Sequence, residues 1–384
     1  MERVMSWILS FSLLIMLLLA FANGANDNAK GVATLVGCRY FSMDRALVFA
    51  GVMTLLGALS AVLLAGELAR RFSGKGIVDP SLLANSAFPI CVGLGASLTV
   101  LLATVVGLPI STTHALVGAI VGVGWTAGSL HVSSAVNVFF VPLLVSPMIA
   151  IVLAGGVYSV FRVVRMKLGV ERQTCLCVGH EIQPVLVSSD GLMSIKSSGM
   201  RMSAGQAGQC RDRYVGRFLG LEAQSILNGA HLISAGAVSF GRGLNDTPKI
   251  AAVMITAGIV SGTGGVSFAN PTLALILTGL GIALGGLLAV RRVARTMSDR
   301  ITEMNDGQGF SANLSTALLV LVASRFGLPV STTHVSCGSL FGIGLINKRA
   351  CWPMIGRVVL AWVTTLPVAA ALAGLFWVLL GGRV

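Results

Sequence analysis

Two motifs recur in this 384-residue sequence at almost one separation. Residues 107–114 read GLPISTTH and residues 327–334 read GLPVSTTH, identical at seven of eight positions and offset by 220. Residues 24–30 read GANDNAK and residues 243–249 read GLNDTPK, so that the glycine, the Asn-Asp pair and the lysine recur in register, offset by 219. Two unrelated motifs that keep one spacing mark an internal duplication, and a duplicated chain must build its fold from two like halves.

Each half repeats one series of segments. An apolar stretch carries the Asn-Asp motif (about 6–38 and 218–258), and a second span follows (45–66 and 272–290). A basic loop (67–80 and 291–306) leads to an apolar stretch ending in the GLP turn (84–106 and 310–326). The STTH segment continues as a short helix (110–125 and 330–346), and a last span closes the half (135–161 and 352–380). Blocks of this length suffice to cross a bilayer's hydrocarbon core. Only 11% of residues are charged, too few for a water-facing surface all round. The expected fold is therefore an all-α polytopic membrane protein: repeat 1 over 1–165, a polar central loop over 166–216, and repeat 2 over 217–384. Gly107–Pro109 and Gly327–Pro329 interrupt apolar segments at matching places, which is the sequence pattern of broken or re-entrant helices in inverted-topology repeats that meet at the membrane midplane.

The net charge of +13 lies in loops: Arg70, Arg71 and Lys75; Arg162, Arg165 and Lys167; Arg291, Arg292 and Arg295. No aromatic residues are interleaved with them as base stacking requires, so no nucleic-acid partner is expected. The basic loops read as topological signals instead and favour a cytoplasmic central loop, although the short basic loops compete with it. The first 22 residues also have signal-peptide form, with Arg3, an apolar run and Ala20-Phe21-Ala22. The internal copy of the motif that follows argues against cleavage there. Cys175, Cys177, His180 and Cys210 lack the usual C-x₂₋₄-C spacing of a zinc site, and the central loop is expected to be reduced and unliganded.

The GLP turns place Ser111, Thr112 and Thr113, and again Ser331, Thr332 and Thr333, at helix N-termini. Hydroxyls together with free N–H groups there suit a small oxyanion. The competing use of these hydroxyls is capping or bonding back to the helix. Asp27 and Asp246 lie at membrane depth, where a carboxylate marks a functional site unless it sits in an interfacial loop. With Asn26 and Asn245 they offer hard oxygen ligands for Na⁺, or a carboxylate that carries H⁺. Lys30 and Lys249 follow each aspartate by three residues, close enough for self-neutralisation or for standing in for a coupling cation. His114 and His334 close the STTH motifs as packing residues or as groups for proton coupling and anion contact. Arg242, Arg325 and His231 show no counterpart in the first half.

The NGANDNAKG segment at 23–31, GLND at 243–246 and the paired STTH motifs resemble the PiT-type inorganic phosphate transporter family, which also contains bacterial sulfate permeases. The resemblance implies an inverted-repeat secondary transporter of the cytoplasmic membrane, often dimeric, moving phosphate with Na⁺ or H⁺ and using no further cofactor. It assigns ion and substrate binding to Asn26, Asp27, Asn245 and Asp246, and the oxyanion to the two Ser-Thr-Thr runs. The family pattern carries a second asparagine where this chain has Lys30 and Lys249. Two cations in place of two amides disfavour a Na⁺ site, so Na⁺ independence is expected. Sulfate transport, an anion channel and an intramembrane enzyme acting through Asp27, Asp246 and the histidines are the rival readings.

Overall fold

A computed structural model describes residues 2–64, 66–183, 196–206, 213–260 and 270–380. The helices are α1 Glu2–Asp27, α2 Ala33–Gly37, α3 Met43–Leu64, α4 Gly66–Phe72, α5 Pro80–Leu83, α6 Ala87–Val106, α7 Thr112–Thr126, α8 Val132–Ala135 and α9 Val141–Lys167. After the central segment come α10 Ala223–Val260, α11 Pro271–Leu288, α12 Arg291–Arg295, α13 Asp306–Arg325, α14 Thr332–Asn347 and α15 Trp352–Leu380. Among the described residues six stretches are long and apolar enough to cross a membrane: Ser10–Asp27, Met43–Leu64, Ala87–Val106, Val132–Lys167, Pro271–Leu288 and Trp352–Leu380. Leu63, Val152, Leu288 and Val363 point outward from four of these helices, where lipid rather than water is the favourable solvent for them.

The chain divides into two compact units, residues 1–158 with 233–384, and residues 159–232. Within the first unit the halves interleave. The Asn-Asp helix of one half packs on the second span of the other: a Cβ on Gly24 would fall 1.9 Å from the Ile282 carbonyl, and one on Gly243 would fall 2.0 Å from the Thr54 carbonyl. The STTH helices do likewise. Gly118 and Gly122 of α7 lie against the backbone of α15, while Gly338 and Gly342 of α14 lie against the backbone of α9. In lipid, helices gain little by burying apolar surface, so backbone contact across small residues holds them.

A Gly24→Ala or Gly243→Ala variant must push two helices apart. We expect either to lose most of its monodisperse peak after detergent extraction, whereas Gly229→Ala, with open space at its Cβ, extracts normally.

In the second unit the segment expected as a polar central loop contains a small sheet. Strands β1 Thr174–Gln183, β2 Lys196–Gln206 and β3 Tyr214–Glu222 form an antiparallel sheet of order β2-β1-β3. Cys175, Cys177 and Tyr214 are buried together, and the Tyr214 hydroxyl lies 2.6 Å from Ser203 Oγ. Alternation along Thr174-Cys-Leu-Cys-Val carries the strand signal, hidden by the polar composition around it. Cys177 is disulfide-bonded, against the expectation of a reduced loop, while Cys175 is free. Cys210 lies outside the described residues.

Candidate functional site

The Asn-Asp motifs sit differently in their helices. In the first half α1 ends at Asp27, and Lys30 lies in the following turn. In the second half α10 runs through Asn245–Lys249 with Pro248 inside it. Proline has no N–H to give the carbonyl four residues back, so the helix is weakened at the same place without being broken.

Asn26 and Asn245 hold the GLP turns. Asn26 Nδ2 donates to Thr104 Oγ1 and to the Leu108 carbonyl, both at 3.0 Å, and its Oδ1 accepts from Ile110 N at 3.0 Å. Asn245 Nδ2 donates to the Val330 carbonyl at 3.4 Å, and its Oδ1 accepts from Ser324 Oγ at 3.3 Å. Each amide thus supplies the polar partners that a buried turn cannot take from water. For either to bind an ion as the sequence suggested, its turn must first let go.

The three hydroxyls of each STTH motif divide into separate tasks. Ser111 Oγ accepts from His114 N at 3.1 Å and Ser331 Oγ from His334 N at 3.2 Å, so the serines are N-caps. Thr112 donates to Asp27 Oδ2 at 3.4 Å and Thr332 to Asp246 Oδ2 at 3.2 Å, each within its own half. Thr113 and Thr333 reach across. Lys249 Nζ donates to Thr113 Oγ1 at 3.0 Å, and Lys30 Nζ donates to Thr333 Oγ1. Both lysines also pair with their own aspartates, Lys30 with Asp27 Oδ1 and Lys249 with Asp246 Oδ1 at 3.4 Å. All four charged groups are at most 3% exposed. Two buried ion pairs are stable only when their remaining lone pairs and protons are satisfied, and the threonines and Asn23 provide for that.

Asn23 is the residue sequence reasoning missed, and Arg242, singled out there only for asymmetry, joins it in the cluster. Asn23 Nδ2 lies 3.2 Å from Asp27 Oδ2, 3.4 Å from Asp246 Oδ2 and 3.0 Å from Thr112 Oγ1, so one amide joins both carboxylates. Arg242 donates to Asn23 Oδ1 at 3.3 Å, Asn28 Oδ1 at 3.2 Å and Thr54 Oγ1 at 3.0 Å. The repeat register corrects the first reading of Arg242: three residues before Asn245, it is the counterpart of Asn23, three before Asn26. Buried polar residues one turn from each aspartate were the available signal.

His114 and His334 meet with their rings tilted by 40° and centroids 4.3 Å apart, and Trp362 stacks on His334 at 4.0 Å. His114 Nδ1 and His334 Nε2 are buried without a hydrogen-bond partner. Trp362 Nε1 donates to the Pro109 carbonyl at 3.2 Å, tying this stack to the first turn.

The two Asn-Asp motifs, the two lysines and the two STTH runs thus form one connected cluster inside a helical, membrane-spanning fold. Comparison with known proteins bears on the family and the fold. The sequence profile described as the phosphate transporter family matches residues 23–373. A protein of Pyrococcus horikoshii named as a phosphate permease is 30% identical, the alignment covering 94% of each chain. One of Rhizobium meliloti named as a low-affinity inorganic phosphate transporter is 27% identical over 92% of this chain and 91% of its own. A solved structure titled the sodium-dependent phosphate transporter has the same fold, with a TM-score of 0.74 over 98% of this chain and 100% of that one, at 22% identity. The chain belongs to the phosphate transporter family, whose members are membrane transporters and not enzymes.

Proposed function

We propose that this protein is a secondary active symporter that carries inorganic phosphate across the cytoplasmic membrane, without requiring Na⁺. Sulfate is the second candidate substrate. The observation that carries the reading is the exchange of partners at the cluster. Each lysine joins the aspartate of its own half to the threonine of the other. An ammonium therefore occupies the place beside each carboxylate where a coupling cation would sit. An incoming oxyanion can draw the ammonium and threonine donors to itself. The carboxylate left behind then takes up H⁺, which couples the two movements. The Ser-Thr-Thr residues are at most 5% exposed, so the cluster as described is closed to water and the halves must move apart to load it. Two inverted repeats rocking about a midplane site supply such a motion.

The neighbouring solved structure is named for sodium dependence. That name sharpens the test for this chain. Uptake of labelled phosphate into proteoliposomes is expected to proceed with Na⁺ replaced by choline when an inward pH gradient is imposed. Strict dependence on Na⁺ would sink the proposal. A channel is distinguished in the same assay, because its flux shows no accumulation against a phosphate gradient.

A further inference from the structure

The two faces of the central sheet differ in kind. Directly opposed residues on neighbouring strands share a face, so the register sorts the side chains. Cys175, Cys177 and Tyr214 are buried together. On the face opposite the cysteines, Leu176 stands between Ala204 of β2 and Leu221 of β3, and Val178 stands between Met202 and Leu219. His180 and Met200 continue the band by one row. All three strands therefore add apolar side chains to one patch, and the patch is open. Met200 is 72% exposed, Met202 70% and Leu219 60%. Single apolar side chains on a surface need no explanation, whereas a contiguous patch marks an interaction surface.

The bilayer is within reach of it. The stretch Val132–Lys167 is long and apolar enough to cross a membrane. Its 36 residues run about 54 Å as a helix, well beyond a hydrocarbon core of about 30 Å. Its last turns carry Arg162, Arg165 and Lys167, and Arg172 follows; all four are exposed, and Glu171 is the one acid among residues 159–173. A basic cluster where a membrane helix ends draws anionic lipid headgroups. The sheet cannot move far from that cluster. Six residues separate Lys167 from Thr174, a reach of about 25 Å at most, and α10 begins at Ala223 directly after β3.

We propose that the apolar face of this sheet rests on the bilayer surface, with Leu176, Met202 and Leu219 at the boundary between headgroups and acyl chains, and that the basic end of α9 binds anionic phospholipid beside it. Binding at a membrane interface scales with buried apolar area plus attraction to anionic lipid, and this unit offers both. The reading does not depend on what the protein transports. A second copy of the chain is the other partner an open apolar sheet could take. A symmetric pair places the same patch on both copies, which would bring two basic clusters together instead of answering either.

Methionine oxidation in the unaltered full-length protein tests this. The protein is held one copy per nanodisc and treated with dilute hydrogen peroxide, and sulfoxide at Met200 and Met202 is followed by mass spectrometry. A synthetic peptide of residues 196–206 sets the rate for open side chains. In phosphatidylcholine mixed with phosphatidylglycerol, both methionines should oxidise about tenfold more slowly than in the peptide, and in phosphatidylcholine alone about threefold faster than in the mixture. Arg162→Gln, Arg165→Gln, Lys167→Gln and Arg172→Gln together, all outside the sheet, should abolish the difference between the two lipids. Rates equal to the peptide's in both lipids overturn the proposal. Equal protection in both lipids, or a lipid difference that survives the fourfold substitution, overturns it as well. Protection seen only in discs holding two copies also overturns it and assigns the face to a second copy of the chain.

Discussion

Replacing Asp27 with asparagine is expected to abolish coupled phosphate uptake and to lower thermal stability in the same variant. Asp27 is the partner of Lys30, and both are at most 1% exposed. Removing one member of such a pair leaves an uncompensated ammonium in the membrane, which costs about 3–5 kcal/mol. The variant also removes the acceptor shared by Asn23 and Thr112, loosening the first STTH helix from α1. Asp246→Asn should behave alike through Lys249 and Thr332. The double variant Asp27→Asn with Lys30→Asn separates the two effects. It should recover most of the lost stability, because both charges are gone, yet remain inactive in gradient-driven uptake. Thermal unfolding in detergent beside proteoliposome uptake reads both quantities. Uptake unchanged in Asp27→Asn would show that this carboxylate carries no coupling ion.

The second large effect is expected from the lysines together. Lys30→Asn with Lys249→Asn puts amides where the lysines stand and takes two cations out of the cluster. The remaining buried charges, Asp27, Asp246 and Arg242, then sum to a single negative charge. A cation is drawn to such a site, whereas the ammonium groups repel it at close range. Uptake by the double variant should become Na⁺-dependent, falling about tenfold or more when choline replaces Na⁺, while the unaltered protein is indifferent. If the double variant transports equally in both salts, the lysines do not stand in for a coupling cation.

How much of this was legible beforehand follows from what each signal reports. Apolar runs and the repeated punctuation by Gly107–Pro109 and Gly327–Pro329 located the spans closely: 45–66 was expected and Met43–Leu64 is observed, 352–380 was expected and Trp352–Leu380 is observed. Local chemistry was equally readable for Ser111 and Ser331, since a serine before a helix is a cap. The strands at 174–222 were not, because a short alternating run among polar and glycine residues is a weak signal, overruled by the composition of its surroundings. The clamps made by Asn26 and Asn245 were not legible either. An amide that ligates an ion and one that holds a turn look alike in sequence.

By itself the sequence determined that this protein is a duplicated, membrane-spanning helical chain, and which polar residue types recur within its apolar stretches: two aspartates, two lysines and two Ser-Thr-Thr-His runs. Those follow from hydropathy and spacing along the chain. Only the tertiary structure decided the partners. Interleaving of the halves sends Lys30 to Thr333 and Lys249 to Thr113, brings both carboxylates to Asn23, and sets Arg242 on the same amide. The physical reason is that these pairings depend on which backbones can touch. That is settled by glycines such as Gly24 and Gly243 meeting carbonyls on distant helices, a contact between segments that no periodicity within a segment records.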